Sequence, residues 1–153
     1  MYGIWNESSR RISHIYGGWM DAEKGSSSES RGRRVLIVDD NKDVADALAM
    51  NLASGMTSVT VAHDGIKGLE AARASVPDVV ILDIGMADPN GYEVARTLRE
   101  EFVSRRMLLV AVTGWAGEGN RKRAMEAGFD HHLVKPVAAA ALLALIEDWE
   151  KAA

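Results

Sequence analysis

Val79-Val80-Ile81-Leu82-Asp83 is a run of four branched apolar residues closed by a carboxylate. A continuous apolar run of this length, without polar alternation, reads as a strand buried on both faces, and so as part of a parallel sheet. Three other stretches have the same form. Val35-Leu36-Ile37-Val38 runs into Asp39-Asp40, Leu108-Leu109-Val110-Ala111-Val112 into Thr113, and Leu133-Val134 into Lys135-Pro136. Open parallel sheets bind ligands beyond the carboxyl ends of their strands. Three carboxylates, a hydroxyl and an ammonium are therefore expected at one edge, a set suited to a divalent cation and a phosphoryl group.

Helical patterns lie between these runs. Asn41 or Asp40 is expected to cap a helix reaching about Ser54, with Val44, Ala47, Leu48 and Leu52 on its inner face. Ser58–Ala62 reads as a short second strand, and Asp64-Gly65 starts a helix running to about Ala74. A loop from Ile84 to Asn90 leads to a helix over Gly91–Phe102 with Tyr92, Val94, Ala95, Leu98 and Phe102 inward. Strand 4 is expected at Met107–Val112, a helix at Asn120–Ala127 closed by Gly128, strand 5 at His131–Val134 and a last helix at Val137–Lys151. Five β-α units in this order predict an α/β fold with right-handed crossovers. The expected architecture is a five-stranded parallel sheet in the order 2-1-3-4-5 flanked by five helices, a flavodoxin-like arrangement. Its switch point falls between strands 1 and 3, the two that end in Asp.

Composition narrows the function. With 153 residues the chain is long enough for one ordinary core, and 47% hydrophobic with 26% charged residues is normal for a globular protein. No cysteine is present, which excludes disulfides, thiolate metal sites and cysteine nucleophiles. No apolar stretch reaches the ~18 residues of a membrane span, and the N-terminus lacks a signal peptide's apolar segment, so a cytoplasmic location is expected. Residues 1–34 carry six Lys/Arg against four Asp/Glu, for +2; residues 35–153 carry twelve against eighteen, for −6. The acidic body argues against nucleic-acid binding. Arg121, Lys122 and Arg123 read as a solvated helix face or a protein contact. The boundary is expected near residue 32, after the linker-like run Gly25-Ser26-Ser27-Ser28-Glu29-Ser30-Arg31-Gly32. Residues 1–32 form an N-terminal extension and 33–153 the folded domain. Within the extension Ile12, Ile15, Tyr16 and Trp19 make a helical stripe, weakened by Gly17-Gly18, that reads either as a docking segment or as a flexible extension.

Asp39, Asp40 and Asp83 brought together would repel one another and raise at least one carboxyl pKa. A hard cation relieves that repulsion, and Mg²⁺ suits a site of oxygen ligands. Asp83 is then placed to attack phosphorus. Lys135 and Thr113 are placed to stabilise the transferred group. An acidic pair after a strand is by itself often only a helix cap; the same signal at four strand ends points to a site. A haloacid-dehalogenase-type phosphohydrolase would need a second Asp where Gly85 stands. His131 and His132 are adjacent on a strand and point to opposite faces, which argues against a shared transition metal.

The run Val35-Leu36-Ile37-Val38-Asp39-Asp40-Asn41 resembles the opening of a response-regulator receiver domain. Val79-Val80-Ile81-Leu82-Asp83-Ile84-Gly85-Met86 resembles its phosphoacceptor strand, and Thr113-Gly114 its switch Thr with a small neighbour. Gly128-Phe129-Asp130-His131-His132-Leu133-Val134-Lys135-Pro136 is similar to the end of strand 5, most like receivers of hybrid sensor histidine kinases. The likeness runs from about Arg33 to Ala152 with every motif in order.

The resemblance implies that Asp83 is the phosphoacceptor and that Asp40, Asp83 and the carbonyl of Gly85 bind Mg²⁺ directly, with Asp39 holding a metal-bound water. It implies that Thr113 and Lys135 meet the phosphoryl group, that the Lys135–Pro136 bond is cis, and that His132 occupies the switch position usually held by an aromatic residue. Ala87 stands where the family usually has Pro, and Pro89 follows two residues later. The implied partners are a sensor histidine kinase or histidine phosphotransfer protein and a downstream protein target, without direct nucleic-acid or membrane contact. The implied role is a signalling receiver in a two-component phosphorelay that promotes its own phosphorylation, rather than an enzyme acting on other molecules. Gly85 and Trp115, two residues after Asp83 and Thr113, are ill suited to hold an attacking water, so slow autodephosphorylation is expected. With the chain ending at Ala153, output through a protein partner is expected. The alternative is a degenerate receiver that binds partners without phosphorylation, although Asp39, Asp40, Asp83 and Lys135 are all retained.

Overall fold

The computed structural model describes residues 33–56, 58–115 and 117–152; the Ile12, Ile15, Tyr16 and Trp19 stripe and the linker lie outside them. Five strands, β1 (Arg34–Val38), β2 (Ser58–Ala62), β3 (Val79–Asp83), β4 (Leu108–Thr113) and β5 (His131–Val134), form one parallel sheet in the order β2-β1-β3-β4-β5. Five α-helices connect and follow them: α1 (Lys42–Leu52), α2 (Gly65–Ser75), α3 (Gly91–Glu101), α4 (Glu118–Ala127) and α5 (Ala139–Lys151). A single 3-10 turn, Ala53–Gly55, extends α1.

Every residue of β3 and β4 is buried. The period of two explains why their sequences do not alternate with polar residues: each face meets its own helical layer. Leu36, Val38, Val80, Leu82, Leu109 and Ala111 pack with α2, α3 and α4. Val35, Ile37, Val79, Ile81, Val110 and Val112 pack with α1 and α5. Side-chain oxygens start three of the helices. Asn41 accepts from the Val44 amide, Asp64 from Lys67, and Asn90 forms a reciprocal capping box with Glu93. These caps follow β1, β2 and β3, so the turns that start the helices also hold the strand ends.

Four elements depart from expectation. The inner face of α1 is Ala45, Leu48, Ala49 and Leu52, whereas Val44 and Ala47 are exposed. Both sets fit helical spacing, but the smaller residues let the helix lie close to the sheet. Helix α4 begins at Glu118 rather than Asn120, because Gly117, at φ 144°, turns the chain there and Glu118 places a carboxylate in the first turn. Helix α5 begins at Ala139 rather than Val137, because Ala138 is extended and Val137 packs into the core. Strand β4 likewise takes in Thr113, which pairs with Val134.

Candidate functional site

Asp39 follows β1 directly and is buried. Its Oδ1 accepts the Asn41 amide at 2.9 Å, and its Oδ2 lies 3.1 Å from Lys135 Nζ. Asp83 ends β3, where Oδ1 accepts the Gly85 amide at 2.9 Å and Oδ2 lies 3.5 Å from the same Nζ. Asp40 is exposed beside them, and one carboxylate oxygen from each of Asp39, Asp40 and Asp83 falls within 4.8 Å of the others. It is the only such potential metal-binding group among the described residues; His131 and His132 form none. Because all its donors are hard oxygens, the group fits a divalent cation such as Mg²⁺.

Thr113 ends β4 and is buried. Its carbonyl accepts the Lys135 amide at 2.7 Å, which ties the end of β4 to the residue after β5. Its Oγ accepts the Trp115 amide at 3.1 Å, so the hydroxyl proton is left for another acceptor. The Lys135–Pro136 bond is cis, as expected, and so is Asp88–Pro89 in the loop after β3.

Burial raises the Asp83 pKa above the ordinary carboxylate value. The charge of Asp39 adds to the rise, while the Gly85 amide and Lys135 oppose it. Burial pulls the Lys135 pKa down, but hydrogen bonding and charge from Asp39 and Asp83 outweigh it and leave the pKa raised. The site is therefore a Lys135 ammonium held between the side chains of Asp39 and Asp83, with Asp40 at the solvent edge.

His132 lies in β5 opposite Ala111. Its Nε2 is buried and has no hydrogen-bond partner among the described residues. Burial, then the charge of Arg121, lowers its pKa. Arg121, Lys122 and Arg123 are exposed on α4, and the Arg123 guanidinium lies 4.4 Å from the centre of the Tyr92 ring.

Two features went unread in the sequence. His63 directly follows β2, and its Nδ1 is 3.2 Å from the Asp39 carbonyl oxygen; its position after a strand was the available signal. A Cβ on Gly91 would come within 2.6 Å of Ile84 Cα and 2.7 Å of the Asp83 carbonyl oxygen. The absence of a side chain there lets α3 start against the Asp83 backbone.

Residues 35–147 match the family model of the response regulator receiver domain. The chain belongs to that family. This receiver is 34% identical over 111 residues to response regulator MprA of Mycobacterium avium, an alignment covering 72% of this chain and 48% of that protein. The chain thus spans about half the length of the curated relatives it matches first. It is 30% identical over 115 residues to an uncharacterized 14.6 kDa protein of Leptolyngbya boryana, covering 75% of this chain and 88% of that one. A CheY-like receiver domain protein of Methanospirillum hungatei superposes with a TM-score of 0.71 at 27% identity, covering 80% of this chain and all of the other. Among the described residues, no helix of this receiver is long and apolar enough to cross a membrane.

Proposed function

We propose that residues 33–153 act as the phosphoacceptor of a two-component phosphorelay, with residues 1–32 an extension outside the chemistry. The observation that carries this reading is the shared ammonium: Lys135 Nζ lies 3.5 Å from Asp83 and 3.1 Å from Asp39, where the ends of β1, β3 and β5 meet. The donor is phosphohistidine on a sensor histidine kinase or a histidine phosphotransfer protein. An Asp83 carboxylate oxygen forms the new O–P bond as the P–N bond breaks, and the electron pair leaves on the donor imidazole. Lys135 meets one phosphoryl oxygen and the free hydroxyl proton of Thr113 another. Asp40, Asp83 and the Gly85 carbonyl would hold Mg²⁺, with Asp39 acting through a water. When bound, Mg²⁺ supplies positive charge that offsets the carboxylates and neutralises the transferring group. Phosphorylation then shifts an existing equilibrium between two conformers, read by a protein partner at the face built from α4, β5 and α5, with Thr113 and His132 as the moving side chains.

Incubation with acetyl phosphate and Mg²⁺ is expected to raise the intact mass by one phosphoryl group. Hydroxylamine reverses it, and Asp83→Asn abolishes it. Full labelling of the Asp83→Asn protein at another residue would overturn the assignment.

A further inference from the structure

A cavity of about 420 Å³ opens beside the acidic cluster, within the ~300–1,000 Å³ range of small-molecule sites. Asp83 and Lys135 line it, so it adjoins the phosphoacceptor directly. Asp39 and Asn51 are the other polar lining residues, and the rest of the lining is apolar. Ile81 and Val112 form its floor on the sheet, Val44 and Ala47 of α1 one wall, and Pro136 the other. The cavity follows from the packing of α1. Because the stripe from Ala45 to Leu52 is what seats the helix, Val44 and Ala47 are turned toward this space, and the Ala47 methyl is too small to fill it. Val44 is left 43% exposed at the rim.

A ligand complementary to this space has an anionic head for Lys135 and a short apolar body for the walls. We propose that the cavity receives the acyl chain of a small-molecule phosphodonor, an acyl phosphate longer than acetyl, and so selects among small donors for Asp83. The proposal rests on Asp83 being the phosphoacceptor. In the step, an Asp83 carboxylate oxygen forms a bond to phosphorus while the bond from phosphorus to the acyl oxygen breaks. The electron pair leaves on the acyl carboxylate, and no proton is transferred. The acyl chain meanwhile replaces water on Val44, Ala47 and Pro136. Each methylene fully removed from water is worth about fourfold. The two extra methylenes of butyryl over acetyl, in a cavity open on one side, should give about tenfold.

The test compares acetyl phosphate with butyryl phosphate on the 153-residue chain with Mg²⁺, reading second-order labelling rates by intact mass. The two leaving carboxylates are of nearly equal basicity, so the difference reports the chain and not the bond being broken. Butyryl phosphate should label about tenfold faster. Ala47→Leu, which fills the cavity, and Val44→Ser, which removes apolar wall, should each bring the ratio toward one; both positions are exposed on α1. As a separate readout, 2-oxopentylphosphonate, whose methylene bridge prevents transfer, should shift the methyl resonances of Val44 and Leu48 more than 2-oxopropylphosphonate does. A ratio near one while acetyl phosphate still labels Asp83 overturns the cavity's role and leaves the phosphoacceptor reading intact. Retention of the full ratio in Ala47→Leu overturns it equally. Failure of both donors to label Asp83 overturns both.

Discussion

At His132 the buried Nε2 has no hydrogen-bond partner among the described residues, and burial there disfavours the imidazolium. The folded-state pKa lies below the ordinary histidine value, so the unfolded chain binds the proton more tightly. The stability that goes with the neutral ring is complete above about pH 6.5 and is lost as pH falls through the lowered folded pKa. His132→Phe should therefore flatten the decline in melting temperature between about pH 7 and pH 5. A decline as steep in the variant as in the native protein would place the titration elsewhere. The position of His132 was legible, since it stands three residues before Lys135 at a strand end; its missing partner was not, because that depends on what α4 brings to the same face. The same division holds at Asp83 and Gly91. The carboxylate announces itself after an apolar run, whereas the need for glycine arises only from the approach of α3 to the Asp83 backbone.

At the scale of elements, α1 shows what periodicity leaves open. Val44, Ala47, Leu48 and Leu52 form one acceptable stripe, and Ala45, Leu48, Ala49 and Leu52 another. Hydrophobicity favours the first, because valine outranks alanine. Close packing on a parallel sheet favours the second, because β-carbons alone must fit between helix and strands, and Ala45 is fully buried. Leu52 belongs to both stripes and is completely buried. Leu52→Ala should then cost about 3 kcal/mol, and Val44→Ala less than about 1 kcal/mol, in urea denaturation. Comparable costs at the two sites would restore Val44 to the core. The strands were more legible than the helices because a four-residue apolar run admits one reading when both of its faces are buried. The starts of α4 and α5 were missed by two residues each: Gly117 and Ala138 set them through backbone conformation, with no side-chain cap to read.

At the scale of the whole domain, charge is arranged along the strands. Asp39, Asp40 and Asp83 crowd the carboxyl edge of the sheet. At the opposite edge the buried Asp78 accepts the Arg34 amide and pairs with Arg105, and Arg33 pairs with Glu150. Parallel β-α connections also aim helix N-termini at the acidic edge, and their partial positive charge offsets part of its repulsion. Lys135 offsets more, yet the Asp83 pKa remains raised by burial and by Asp39. Because that folded pKa exceeds the unfolded value, ionising Asp83 costs stability, and the cost appears as pH rises through the folded pKa. A divalent cation that binds only the folded domain should recover it. At tenfold above its Kd, Mg²⁺ would add about 1.4 kcal/mol, or roughly 5 °C in melting temperature for a domain of this size. The gain should be largest at neutral pH and shrink toward pH 4, where protons compete for the same oxygens. Asp40→Ala should remove most of it and slow labelling of Asp83 together, since one cation serves both. Unchanged melting in millimolar Mg²⁺ alongside efficient labelling in EDTA would show that the three carboxylates gather for some other reason. Thermal melts across pH, with and without the cation, separate the two outcomes before any partner kinase is in hand.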